Sequence, residues 1–420
     1  MKYHLIGDQG VSMRGIKKYL ESLGHTVTGS DLKTGGHRAE NIQPDIDVVV
    51  RTSAVNPGSD GWVEVERANE LGIKVVKRSV LLGQLTANKK LIAVSGMHGK
   101  TTVTSMIGLI LTAAGLDPTV MVGEEVKEFD DVLRIGQSDL FVLEACEYDR
   151  SFLDFYPQYL VLTNIEAEHL DTYPGGLPEI EEAFLEYINH VPDDGVIVAC
   201  KDDENLQRVL AKRTTKARLI EYGFTAESNN KLEFEPAVPG KHNILDALAA
   251  KAIADSFGVE DEVTKGALSK FQGAHRRLEL KGQYKGALLY DDYGHHPTEI
   301  RMTIAALKEK YPKKRLAVVF WPHQYKRIKP LLQEFAKAFV EADFTIIKPI
   351  FFVPGRDEIL DISSQDLVAL AKKNHTNAVF LETDEEIVDL LRLKLDQESI
   401  LLTIGIPPVY KIAETLAEAR

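Results

Sequence analysis

The stretch LIAVSGMHGKTTVTSMIGLILTAAG, residues 91–115, constrains the fold more than any other. An apolar run leads into a turn with two glycines, and a helical pattern ending in Gly follows. Strand, glycine turn and helix in that order open a parallel α/β unit. A helix start offers unpaired N–H groups and a positive dipole end to an anion. GMHGKTT therefore reads as a phosphate loop. Gly96 and Gly99 allow close backbone approach, Lys100 can reach the β- and γ-phosphates, and Thr101 or Thr102 can offer a hydroxyl to Mg²⁺. The common pattern G-x-x-x-x-G-K-[ST] asks for a Gly where this chain has Val94.

The same alternation runs along the whole chain. YHLIG, GIKKYLESLG and HTVTGSD (3–31) read as β, α, β, and DIDVVVRTSAV, GWVEVERANELG and IKVVKRS (45–79) continue the pattern. LTANKK (85–90) is a polar break. DLFVLEA, YLVLTNI and GVIVAC are further strands, and KHNILDALAAKAIADSFG (241–258) is a long helix. The pattern resets near FQGAHRRLELKG (271–282), after which GALLYDDYG, RLAVVFWP, DFTIIKP, NAVFL and SILLTIG are strands between helical stretches. Apolar runs without alternation imply parallel sheets covered on both faces. The expected fold is three consecutive α/β domains: a Rossmann-like domain over 1–87, a P-loop domain over 88–278 and a second Rossmann-like domain over 279–420.

Composition removes several function classes. The formal net charge of −13 disfavours nucleic acid as a partner. Two cysteines, Cys146 and Cys200, cannot build a disulfide framework or a Cys-rich zinc site. No run reaches the about 18 uncharged apolar residues of a membrane span. The N-terminus lacks a long apolar signal segment, so a cytoplasmic protein is expected.

Phosphate transfer calls for a hard cation with oxygen ligands, which suits Mg²⁺. FVLEA delivers Glu144 at a strand's carboxyl end, and LVLTNIEAEHLD delivers Glu166, Glu168, His169 and Asp171 just past another. Ligands of open parallel sheets bind beyond those ends, so these groups can converge on the loop. Neither a G-x-S-x-G elbow nor an HExxH motif points to a hydrolase.

GMHGKTT, LEACEYDRSFL, TNIEAEHLDTY, HNILDALAA, FQGAHRR and DDYGHHPTEI occur in that order. Together they resemble the ATP-dependent Mur ligases, which join amino acids or peptides to peptidoglycan precursors. GTHGKT and GTNGKT are that family's form of the loop, which accounts for Val94. The resemblance implies that a substrate carboxylate is activated by ATP as an acyl phosphate and attacked by an amine, with Mg²⁺ required. It implies nucleotide contacts from Gly96, Met97, His98, Gly99, Lys100, Thr101, Thr102, Asn243, Arg277 and Asp292. The metal would fall to Thr101, Glu144 and His169, and catalysis to Lys100, Glu144, His169, Arg277 and Asp292. Tyr293, His295, His296, His323 and Arg327 would face the substrates. The partners implied are small molecules, a nucleotide sugar like UDP-N-acetylmuramate and an amino acid, with no nucleic acid or membrane, acting as a monomer or homodimer. Short spacing after EYDRSFL, and FWPHQYKR, sit nearest the members that join L-alanine to UDP-N-acetylmuramate. RRLEL is closer to those that recycle murein tripeptide. A ligase for another carboxylate and an ATP-binding non-catalytic relative stay open.

The departures cluster on the substrate side. The first domain reads GDQGVSMRGI where the family has GIGGxGMSGI, so Gln9 and Ser12 replace glycines that let a backbone approach pyrophosphate. From GSDLK the chain runs almost directly to TGGHRAENI, without the family's intervening helix and strand. Asp246 replaces an Asn, Gln324 an Arg, and GIPPVYKIAE stands in place of GAGD. Arg14, Lys33, His37 and Arg38 could compensate.

Overall fold

The computed structural model describes residues 1–129, 131–226, 232, 234, 236, 238, 240–271, 273, 275–353, 357–374 and 376–419. The apolar runs form three sheets, each flanked by helices. The first contains β1 (Lys2–Ile6), β2 (Thr26–Ser30), β3 (Val48–Arg51) and β4 (Lys74–Lys77), all parallel, in the order β2-β1-β3-β4. The second contains β5 (Lys90–Ser95), β6 (Thr119–Val126), β7 (Asp131–Arg134), β8 (Leu140–Glu144), β9 (Tyr159–Leu162), β10 (Val196–Cys200) and β11 (Arg218–Tyr222). Its order is β11-β10-β9-β5-β8-β6-β7, with β7 alone antiparallel to its neighbour. The third contains β12 (Glu279–Tyr284), β13 (Ala287–Asp292), β14 (Arg315–Phe320), β15 (Phe344–Ile347), β16 (Ala378–Phe380) and β17 (Ser399–Ile404) in the order β12-β13-β17-β14-β15-β16, with β12 antiparallel. The expected strands all form. β6, β7, β11 and β12 are additions that the sequence reading did not separate.

The first two sheets belong to one compact unit, Met1–Ala237 with Ile244–Phe271. The third belongs to another, Val238–Asn243 with Gln272–Arg420. Central strands are buried along most of their length: Ile92, Val94, Val142, Leu160 and Val161 are wholly buried, as are Val318, Val319 and Leu402. This is the two-sided cover expected of uninterrupted apolar runs. The helix Lys100–Ala113 is apolar almost all round, and it lies so close to β6 that a Cβ on Gly108 would sit 2.8 Å from Val120.

The first sheet is pared down as expected. Between β2 and β3 the chain makes only two short 3₁₀ turns, Leu32–Thr34 and Ala39–Asn41. A carboxylate holds this segment in place. Glu64, on the helix Trp62–Glu70, is wholly buried and accepts from Ser30 Oγ at 2.7 Å, Asn41 Nδ2 at 2.7 Å and the Arg38 N–H at 3.1 Å. His4 Nε2 lies 3.2 Å and His37 Nδ1 3.4 Å from the same group. Burial alone would raise its pKa, but the bonds from His4, Ser30 and Asn41 outweigh that and hold it at about 2.

Register brings the strand ends into line. β5 lies between β8 and β9, with Val94 opposite Glu144 and Ser95 opposite Leu162, so the loops after all three strands leave side by side. In the third sheet Ile404 lies opposite both Asp292 and Phe320.

Candidate active site

Val94 is tolerated because position 94 is still strand: it is wholly buried and paired across both edges, and the chain turns only at Gly96. Gly96 has φ 137°, and a Cβ there would lie 2.0 Å from Thr163 Oγ1. Gly99 has φ 84°, and its Cβ would lie 2.5 Å from Asp246 Oδ1. Neither position accepts a side chain. The loop is tied to the segment after β9. The His98 N–H donates to Asn164 Oδ1 at 2.9 Å, and Thr163 Oγ1 donates to the His98 carbonyl at 2.6 Å. The result is a rigid cradle of backbone at the start of the helix Lys100–Ala113, the shape an anion needs.

Thr101, rather than Thr102, faces the carboxylate. Its Oγ1 donates to Glu144 Oε2 at 2.8 Å, and the Gly123 N–H donates to the same oxygen at 2.8 Å. This hydroxyl–carboxylate pair is a hard-oxygen set that suits Mg²⁺. Thr102 is buried within the helix. His98 Nε2 sits 3.4 Å from Glu166 Oε2. Glu168 is buried and Asp171 is exposed.

His169 Nε2 lies 3.2 Å from Oε1 of Glu147. Glu147 is wholly buried, and its Oε2 lies 3.0 Å from the Lys100 ammonium. Lys100 also donates to the carbonyls of Gly96 and Met97. Burial pushes the Lys100 pKa down, but Glu147 and the neighbouring anions push it up by more; burial likewise raises Glu147, and Lys100 and His169 reverse that. Cys146, next to Glu147, is pushed up to about 12 by burial, so its thiol stays protonated. Sequence reasoning passed over Glu147. Its one signal was a second carboxylate three residues after Glu144 in LEACEYDRSFL. Two residues on, Asp149 and Arg150 hold left-handed conformations, φ 54° and 53°. Asp149 accepts from Ser53 Oγ at 2.7 Å and pairs with Lys77 at 3.0 Å, which joins the carboxyl ends of the first sheet to this segment.

The other candidates lie in the second unit. Asp292 is buried at the end of β13 and accepts the N–H groups of Leu278 at 2.8 Å and Gly294 at 2.7 Å. Burial pushes its pKa up to about 7, against the pull of Arg277. The two arginines of HRR divide sharply. Arg276 is buried, bonds Asp291 at 2.9 Å and the carbonyls of Gly405, Ile406 and Pro407, and lies between the rings of Tyr293 and Tyr410. It thus clamps the GIPPVYKIAE segment. Arg277 is more open and reaches Glu299 at 3.4 Å. The backbone N–H groups of His295 and His296 both donate to Glu299 Oε2, and His296 caps the helix Pro297–Lys310. His323 stacks on Phe351, and Arg327 lies in the turn Tyr325–Ile328 that Gln324 caps with φ 66°. Asn243 sits 3.1 Å from the His242 ring. Of the basic residues that could compensate in the first domain, Arg14 is paired with Glu125 at 2.7 Å and His37 is engaged by Ser30 and Glu64.

Comparison with known proteins agrees with this geometry. Residues 2–90 match the Mur ligase family catalytic domain, 94–234 the Mur ligase middle domain and 276–406 the Mur ligase glutamate ligase domain. UDP-N-acetylmuramate–L-alanine ligase of Caldanaerobacter subterraneus subsp. tengcongensis is 37% identical over 99% of this chain and 97% of its own length. The chain belongs to the Mur ligase family. Among solved Mur ligases, UDP-N-acetylmuramate–alanine ligase of Thermotoga maritima superposes with a TM-score of 0.82 at 25% identity, covering 100% of this chain and 99% of that one. A murein peptide ligase of Psychrobacter arcticus shares the fold, with a TM-score of 0.70 at 23% identity over 99% and 98% of the two chains. The family and the three-domain α/β architecture expected from the motifs are borne out. No helix among the described residues is long and apolar enough to cross a membrane.

Proposed function

We propose that the protein is an ATP-dependent ligase that joins L-alanine to UDP-N-acetylmuramate. The observation that carries the reading is full-length similarity to several alanine ligases, for example 37% identity over 98% of this chain with that of Aquifex aeolicus. The glycine cradle with Lys100 at its edge supports it independently. ATP would supply the phosphoryl group that activates the carboxylate, and Mg²⁺ would offset the charge that develops.

The chain's own part is binding and charge placement. The N–H groups of the loop and Lys100 hold phosphate oxygens. Thr101 and Glu144 offer oxygens to the cation, and His169 adds a nitrogen from the neighbouring loop. Both chemical steps build negative charge, so aimed donors and cations matter more than a protein nucleophile. Arg277 and Asp292 serve the nucleotide. Tyr293, His295, His296, His323 and Arg327 serve the acyl centre and the incoming amino acid. A ligase of the same chemistry for another carboxylate is favoured at one point only, the side chains of Asp8 and Gln9 in the loop after β1.

A phosphate-release assay tests the reading. ADP and phosphate should form only with ATP, Mg²⁺, UDP-N-acetylmuramate and L-alanine together, and Lys100→Ala should abolish turnover in a folded protein. Turnover with a different carboxylate would reassign the substrate, and parental turnover by Lys100→Ala would remove the phosphate loop from the mechanism.

A further inference from the structure

An ammonium group has three N–H donors, and in Lys100 all three have partners. They are the Gly96 carbonyl, the Met97 carbonyl at 2.9 Å and Oε1 of the Glu147 carboxylate at 3.3 Å. The two carbonyls belong to a backbone fixed by its ties to Thr163 and Asn164. Glu147 is the one anion of the three, so a phosphate oxygen and Glu147 are rivals for the same donor.

We propose that Glu147 is a positioning residue of the phosphate site: phosphate takes Lys100 by displacing the Glu147 carboxylate, which His169 then retains. Full burial leaves the carboxylate no route to water. Oε1, the oxygen that accepts from Lys100 at 3.3 Å, also lies 3.2 Å from His169 Nε2. Its backbone is pinned by the Tyr173 hydroxyl, which donates to the Glu147 carbonyl at 2.7 Å. The His169 ring is held by the edge of Tyr148 at 5.1 Å and by a left-handed backbone, φ 52°. Glu147 therefore has two effects of opposite sign. It competes with phosphate for Lys100, and it orients His169. The inference rests on reading this loop as the phosphate site.

The test compares the parental full-length chain with Glu147→Gln, which keeps the shape and loses the charge. Binding of ADP is measured by calorimetry in EDTA, and Mg²⁺-supported turnover is measured separately. The expected result is about tenfold tighter metal-free ADP binding, the scale of one charge-assisted bond no longer contested. A fall in kcat of tenfold or more should accompany it, as His169 loses its charged partner. A merely structural glutamate would weaken binding and stability together. Unchanged or weaker ADP binding by a variant with the parental Tm overturns the proposal. If Glu147→Gln does not fold, Glu147→Asp draws the carboxylate back from Lys100 and should bind metal-free ADP about threefold more tightly; parental or weaker affinity overturns it. Failure of the parental chain to bind ADP would instead sink the phosphate-site reading itself.

Discussion

Adjacent residues of one type can have unrelated tasks, and HRR makes the point. Arg276 is a buried structural cation with a buried anion, Asp291, and three carbonyls around it. Breaking a buried pair from one side typically costs about 3–5 kcal/mol. Arg276→Met should lower the unfolding free energy of the unit that contains β12–β17, measured in urea, by that order. Arg277→Met should leave that stability almost unmoved, since Arg277 is partly open with Glu299 at 3.4 Å, and should remove turnover instead. Equal losses of stability in the two variants would refute the division. Gly99 is a second residue whose identity is dictated by shape. Gly99→Ala would set a Cβ 2.5 Å from Asp246 in a left-handed backbone, so nucleotide affinity should fall by more than about tenfold, and Tm should fall with it. Thr101 and Glu144 form a third case. Thr101→Val removes the donor of the 2.8 Å bond, and Glu144→Gln removes the charge at its acceptor. Their effects on the Mg²⁺ requirement should be non-additive in a double-mutant cycle.

At the scale of the element, the segment between β2 and β3 is held by Glu64 in place of a helix. Its pKa of about 2 lies below the ordinary carboxylate value, so it adds stability that is complete above about pH 4.5. That contribution is lost as pH falls toward 2, and its size is on the order of 3 kcal/mol. Glu64→Gln should therefore be less stable than the parent at pH 7 in urea unfolding, with the gap narrowing between pH 4.5 and 3. A gap independent of pH would mean that the charge is not what holds the segment. Nothing in HTVTGSD or GWVEVERANELG announces this arrangement, because its partners are joined by folding across 23 to 60 residues. The same holds for Glu147 and Lys100, 47 residues apart. What was legible was local: strands long and apolar enough to be unmistakable, glycines at the loop, and polar residues just past strand ends. β7 has four residues and β12 lies at a sheet edge, so neither carries a periodicity that separates it from a turn. The pairing of Glu144 with Thr101 follows from the register of β5 beside β8. That His169 faces Glu147 depends on a left-handed loop that no pattern encodes.

On the scale of the whole molecule, a chain of net charge −13 must bind polyanions, so local donors have to override the global field. In the second sheet's domain they are present, in the glycine cradle and Lys100. In the first domain they are compromised. The loop after β1 turns at Gly7, φ 84°, and leads into the helix Val11–Ser22, whose Gly10 cap gives no side-chain bond. Its N–H groups are therefore suited to a pyrophosphate. Asp8, however, is a buried carboxylate in that loop, offset by Lys17 at 3.1 Å and bonded by Gln9 at 3.0 Å. Gln9 is not among the residues with positive φ, so its side chain costs nothing in backbone strain and acts only by crowding. Gln9→Gly with Ser12→Gly should then lower the KM for UDP-N-acetylmuramate roughly tenfold to a hundredfold, the scale of one recovered charge-assisted contact. kcat should stay the same, because the contact is equal in ground and transition states. The added glycine within the helix should lower stability by up to about 1 kcal/mol, so affinity and Tm are expected to move in opposite senses. An unchanged KM together with the lower Tm would place the sugar nucleotide's pyrophosphate away from the loop after β1, and the weakened first domain would then need another explanation.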